Sequence, residues 1–170
     1  RLLINGAGGT IGTYAIQIAK AIGAHVTAVD AASKLKMLSD IGADEVIDYR
    51  LTNFVDVSQR WDVLIDIVDN ASFSETLQKV VPGGCYVIGN PRTSSMLRAM
   101  RANRKDGQRV ELRMAEYSTE DQAALLEWVG RGVIKPVIDR RYSLDEIHAA
   151  HAYVDSGAKV GNVVVSINEE

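Results

Sequence analysis

Residues 4–12 read Ile-Asn-Gly-Ala-Gly-Gly-Thr-Ile-Gly. Ala7, Gly9 and Gly12 fall on the three positions of a G-x-G-x-x-G pattern, with alanine at the first. Gly6, Gly9 and Gly12 also make a G-x-x-G-x-x-G series. This spacing suits the capture of a diphosphate. Gly9 lets the backbone approach the anion, and Gly12 lets a following helix pack tightly on the first strand. The N–H groups of Thr10, Ile11 and Gly12 point outward from the helix start, where the helix dipole adds a partial positive charge. An acid, Asp30, lies 18 positions beyond Gly12. Its carboxylate suits a pair of ribose hydroxyls, and a charge-assisted bond of this kind is worth roughly 1.5–3 kcal/mol.

These groups work only on the right frame. An apolar run (Leu2, Leu3, Ile4) precedes the turn, and a helical pattern follows with Ile11, Ala15, Ile18 and Ile22 on one face. Strand, glycine turn, helix, strand and acid together are the dinucleotide-binding fingerprint. Asp30 would repel a 2′-phosphate and argues for NAD(H). Lys34, four residues later, argues for NADP(H) by neutralising that phosphate, or is an ordinary exposed helix lysine. A tight turn without a ligand is the plain alternative. A methyltransferase binding S-adenosylmethionine would use a similar loop, but that fold carries an acid on its first strand, where this chain has only Asn5.

The rest of the chain alternates in the same way. Strands are predicted at 1–5, 25–29, 45–47, 62–68, 85–88 and 110–114, and helices at 10–22, 33–41, 72–80 and 119–130. Ser33 and Thr119 are expected to cap their helices, and Ser72 with Glu75 has capping-box spacing. Leu125, Leu126 and Trp128 are expected to face inward. Residues 93–108 suggest a short helix and an exposed loop. The fold class is α/β: a Rossmann-type, doubly wound parallel sheet of about six strands with helices on both faces. Residues 1–132 are expected to form the nucleotide-binding domain. Residues 133–170 read as an extended stretch around Pro136, a helix from Ser143 to Asp155, and a last strand at 163–167. They are expected to complete a second domain.

Composition sets limits. The chain has 170 residues, 46% hydrophobic and 24% charged, with a net charge of −3. Nothing here offers nucleic acid a broad basic surface. The cluster Arg98, Arg101, Arg104, Lys105 and Arg109 reads as a solvated face. One cysteine, Cys85, permits no internal disulfide and suits the cytoplasm. No apolar stretch is long enough for a membrane span. The chain opens on a core strand without an initiator methionine, as expected of a fragment of a longer protein.

With these motifs in hand, the chain resembles the nucleotide-binding half of medium-chain dehydrogenases/reductases, in the branch of quinone oxidoreductases and zinc-type alcohol dehydrogenases. Gly6-Ala7-Gly8-Gly9-Thr10-Ile11-Gly12 matches that family's G-A-x-G-G-V-G turn, with Thr10 replacing the usual second glycine of the pair. Ala15, Gln17, Ala19, Lys20, Gly23 and Ala24 match its following helix. Gly42-Ala43-Asp44, Ile47-Asp48-Tyr49, Pro82-Gly83-Gly84, Tyr142-Ser143-Leu144 and Gly161 with Val163–Val165 match later segments. Asn162 stands where a lysine or arginine is common.

The resemblance implies that the backbone of Ala7, Gly8, Gly9, Thr10, Ile11 and Gly12 holds a pyrophosphate. It implies that Lys34 and Tyr49 flank a 2′-phosphate, while Asp30 leaves the choice of NADP(H) or NAD(H) open. It places Asn70, Gly89 and Asn90 on the nicotinamide side, at the carboxyl ends of two strands. Hydride transfer to or from a quinone, enone, aldehyde or alcohol follows for the full-length parent, with a small-molecule substrate and homodimer formation through the sheet edge. No residue here is assigned as a catalytic acid or base. No metal is expected: His148 and His151 share a helix face, but two ligands do not close a zinc site. A non-catalytic, redox-sensing dinucleotide module is the alternative.

Overall fold

A computed structural model describes residues 1–102, 107–112 and 118–167. Its main layer is a six-stranded, fully parallel sheet. In chain order the strands are β1 (Leu2–Asn5), β2 (Val26–Asp30), β3 (Glu45–Asp48), β4 (Trp61–Asp66), β5 (Val80–Ile88) and β6 (Arg109–Leu112). They lie side by side as β3-β2-β1-β4-β5-β6. The order reverses between β1 and β4, so a crevice opens beyond the carboxyl ends of those two strands, where such sheets bind ligands.

Alternation along β1 explains why both faces need cover. Leu2 and Ile4 point to one side and join Ile16, Ala19, Val26, Ala28 and Leu38. Leu3 points to the other and joins Trp61, Leu64, Phe73, Tyr86, Ile88 and Val110. The first cluster is closed by α1 (Thr10–Ala21) and α2 (Ala32–Asp40), the second by α3 (Phe73–Gln78) and α4 (Thr93–Ala102). Trp61, the largest fully buried side chain, has its indole N–H satisfied by Thr27 Oγ1 at 3.1 Å.

α5 (Thr119–Gly130) leads into the C-terminal unit. There β7 (Ile138–Ser143) pairs in parallel with β8 (Asn162–Ser166), joined by a 3-10 turn (Leu144–Glu146) and α6 (Ile147–Asp155). A reciprocal Ser143–Glu146 capping box starts this turn.

Several expectations are corrected. The buried face of α1 is Gly12, Thr13, Ile16 and Ala19, whereas Ile11 and Ile22 are exposed. α1 sits so close to the sheet that small residues fill the contact. In α2 the cap position is Ala31, not Ser33, and no side chain caps it. Ser72 is the N-cap of α3 but makes no capping bond, its hydroxyl meeting Ser74 instead. Ser118, not Thr119, caps α5 by accepting the Asp121 N–H at 3.2 Å. α5 buries no residue: Leu125 and Leu126 are exposed and Trp128 is half-buried. The strand at 138–143 was not anticipated. Arg104 and Lys105 of the basic cluster, and the predicted strand end at 113–114, lie outside the described residues.

Candidate dinucleotide site

The glycine turn joins β1 to α1 with Gly6 at φ +82°, a conformation that favours glycine. Gly9 precedes the helix in extended backbone (φ −92°, ψ −176°). The first internal bond of α1 is Thr13 N–H to Gly9 O at 3.0 Å. The N–H groups at the helix start ahead of Thr13 are therefore left for partners outside the helix. A side chain at Gly12 would collide with the backbone of Ala7, so glycine sets the close approach of α1 to the turn. The space beside Gly9 is open, with no atom within 4 Å of where a Cβ would stand. The turn thus offers an accessible, donor-rich helix terminus that fits the diphosphate of a dinucleotide. Thr10 keeps a negative φ, since Asp69 is the one non-glycine residue with positive φ among those described.

Asp30, at the end of β2, organises this turn. Its Oδ2 accepts the Gly8 N–H at 2.7 Å, and its Oδ1 accepts the Ala31 N–H at 2.8 Å. Lys34 Nζ stands 3.4 Å from Oδ1. A Cβ at Gly8 would strike both the Lys34 stem and Asp30 Oδ2. The Asp30 backbone carbonyl accepts the Tyr49 N–H at 3.2 Å, while the Tyr49 ring is half exposed. The carboxylate assigned to ribose is thus already engaged, although a carboxylate has about four lone-pair positions and these three contacts leave one. Lys34 meanwhile offsets the negative charge that would repel a 2′-phosphate.

A second polar cluster ties together the carboxyl ends of β1, β4 and β5. Asp66 is fully buried and accepts from Asn5 Nδ2 (2.9 Å), Asp69 N–H (2.8 Å), Val68 N–H (3.1 Å) and Tyr86 OH (3.2 Å). Burial, and then the charge of Asp66, push the Tyr86 hydroxyl well above its ordinary pKa, so it remains a donor. Asn5 Nδ2 also reaches Asn70 Oδ1 at 3.2 Å. Gly89 N–H binds Asp66 O at 2.9 Å and Asn90 Nδ2 binds Ile67 O at 3.1 Å. Asn70, Gly89 and Asn90 are therefore held at one edge of the crevice. Asp69 turns its carboxylate to the start of α4, accepting from Arg92 N–H (2.8 Å) and Ser95 Oγ (2.8 and 3.0 Å).

The C-terminal unit reaches the same turn, which the sequence did not indicate. Gly161 forms a parallel bridge with Gly9, and its N–H donates to Gly8 O at 2.9 Å. Thr10 Oγ1 donates to Gly161 O at 3.1 Å. Gln17 pins the connecting segment, accepting the Lys135 N–H (2.8 Å) and donating to Lys135 O (3.0 Å). Among the described residues, no group of three or more His, Cys, Asp or Glu is placed to hold a metal ion. No helix among them is long and apolar enough to cross a membrane.

A parallel sheet of this order, with a glycine turn at its switch point, defines the class of Rossmann-type nucleotide-binding units. Residues 41–165 match the family described as zinc-binding dehydrogenase, and the chain belongs to that family, within the medium-chain dehydrogenases/reductases. It is 34% identical over 193 residues to the mitochondrial NAD(P)H oxidoreductase RTN4IP1 of Mus musculus, covering 98% of this chain and 48% of the relative. It is 32% identical over 168 residues to 2-methylene-furan-3-one reductase of Solanum lycopersicum, covering 96% and 39%. The fold matches the quinone oxidoreductase structure from Coxiella burnetii with a TM-score of 0.87 at 24% identity, covering 98% and 52%. The chain spans about half the length of the curated relatives it matches.

Proposed function

We propose that this chain binds NADPH or NADH across the β1/β4 crevice and serves a reductase of quinones, conjugated enones or related small carbonyls. The observation that carries the reading is the open, donor-rich start of α1, held by the Gly8–Asp30 bond. The backbone of Ala7, Gly8, Gly9, Thr10, Ile11 and Gly12 surrounds the pyrophosphate. Asp30, Lys34 and Tyr49 face the adenosine ribose, and Asn70, Gly89 and Asn90 the nicotinamide. Relatives named NAD(P)H oxidoreductase and 2-methylene-furan-3-one reductase support the choice of cofactor and of substrate class. The bound nicotinamide supplies the hydride, and these residues supply position.

Residues 1–132 act as the nucleotide-binding domain, and the tail from 133 belongs to the domain that walls the substrate. The chain alone binds the dinucleotide and turns over little substrate, without a metal of its own. A homodimer through the sheet edge is supported by the position of β6 as the last strand. Net negative charge argues against nucleic acid. Cysteine usage favours the cytoplasm, and because one relative is named mitochondrial, cell fractionation decides the compartment.

Calorimetric titration with NADPH and NADH tests the reading, on the wild type and on Asp30→Ala. Binding of either dinucleotide by the wild type, weakened in the variant, is the expected result. Failure of the wild type to bind both would overturn it.

A further inference from the structure

The tail brings a cation to the glycine turn. Lys159 Nζ lies 3.0 Å from Thr10 Oγ1 and 2.6 Å from Gly161 O. Thr10 Oγ1 in turn donates to Gly161 O, so the three groups form a closed triangle on the first residue of α1. Both acceptors of the ammonium are neutral, and no carboxylate pairs with it among the described residues. Asp139, the acid whose charge it feels, has Oδ2 committed to Tyr153 OH (2.7 Å) and Val160 N–H (2.9 Å). Burial, and then the positive charge of Lys34, hold the Lys159 ammonium below the ordinary lysine pKa. Two lysines thus stand near the glycine turn, Lys34 beside Gly8 and Asp30 and Lys159 on Thr10. Lys34 has a carboxylate beside it, and Lys159 has none among the described residues.

We propose that Lys159 is a diphosphate-binding residue: the C-terminal unit places its ammonium on the first turn of α1, where it contacts the pyrophosphate of the bound dinucleotide. The inference rests on the reading that the glycine turn holds a nicotinamide dinucleotide. It assigns different jobs to the two lysines. Lys34, beside Asp30, reads the ribose end and separates NADPH from NADH. Lys159, bonded to Thr10, reads the diphosphate that both dinucleotides share. An anion here also relieves the repulsion between the lysines. The tail thereby becomes part of the ligand site.

The test is calorimetric titration of the 170-residue chain and its Lys159→Gln and Lys159→Arg variants with NADH, NADPH and ADP-ribose, at two salt concentrations. Expected for Lys159→Gln is an equal weakening toward all three ligands, about 10- to 100-fold, as for loss of one charge-assisted bond. The salt dependence of binding should flatten in that variant, and Lys159→Arg should restore most of the affinity. A loss confined to NADPH would assign the lysine to the 2′-phosphate and overturn the proposal. Unchanged affinity would overturn it too, as would a loss accompanied by lower ligand-free melting and an unaltered salt dependence. Failure of the wild type to bind any of the three would remove the dinucleotide reading itself, a result visible before any variant is made.

Discussion

The Gly8 N–H donates to Asp30 Oδ2 at 2.7 Å, and the missing Gly8 side chain leaves the room that Asp30 and the Lys34 stem occupy. One residue without a Cβ thus sets both the shape of the turn and the charge balance between Asp30 and Lys34.

Substitution at Gly8 tests that dependence. Gly8→Ala should force Asp30 and Lys34 apart and cost about 1–3 kcal/mol, the usual range for overpacking. Urea unfolding reads the stability. Dinucleotide affinity should fall for NADH and NADPH alike.

Gly161 should be equally intolerant, for two reasons. It has φ +67°, and a Cβ there would stand 2.5 Å from Val137 O. Gly161→Ala is expected to loosen β8 from the glycine turn. Amide exchange should show lost protection at Gly161, whose N–H donates to Gly8 O. Retained protection would count against the coupling.

Asp66 accepts two side-chain and two backbone donors in full burial. Removing it leaves those donors unpaired, each costing about 1–3 kcal/mol. Asp66→Ala should therefore lose at least about 3 kcal/mol in chemical denaturation, a large share of an ordinary domain's stability. Asp66→Asn keeps one acceptor oxygen and should lose less.

Acid sensitivity should have an identifiable source at the amino end of the sheet. Lys20 bonds Asp44 at 2.7 Å, the Val26 N–H adds a second bond, and together they hold the carboxyl below its ordinary 3.8. Glu45 is lowered in the same way, chiefly by His25. A carboxyl whose folded pKa is depressed stabilises the fold above its unfolded value, and that contribution is lost as pH falls through the folded value. The melting difference between wild type and Asp44→Asn should be greatest above about pH 5 and shrink steadily below about pH 4. A difference that stays constant through acid would assign the effect to packing instead.

Much of the frame was legible because its signals are local. The glycine turn, the apolar runs of β1, β2 and β4, and Gly42 at φ +109° after α2 all announce themselves within a few residues. The inward face of α1 was misread because its large apolar residues, Ile11 and Ile22, lie at the helix ends, while Gly12, Thr13 and Ala19 fill the contact. β7 was missed because Asp139, Arg140 and Arg141 mask its pattern, and its partner β8 lies beyond α6. Spacing singles out Asp30, but its bond to Gly8 depends on packing that no spacing records. Lys159 gave no signal at all, because its neighbour Thr10 is remote in sequence.

Thr10 and Gly161, which share a hydrogen bond, stand 151 residues apart. During synthesis the turn leaves the ribosome well before Gly161, since a chain emerges and begins to fold from its amino side. β1, α1 and β2 can then assemble locally, yet the Thr10 hydroxyl must wait for Gly161, made 151 residues later. The nascent protein therefore passes through a long interval in which its glycine turn is formed but not yet buttressed. A ribosome stalled before Gly161 would present that turn unsupported, and arrested chains of increasing length should acquire their native protease resistance around the turn in one late step.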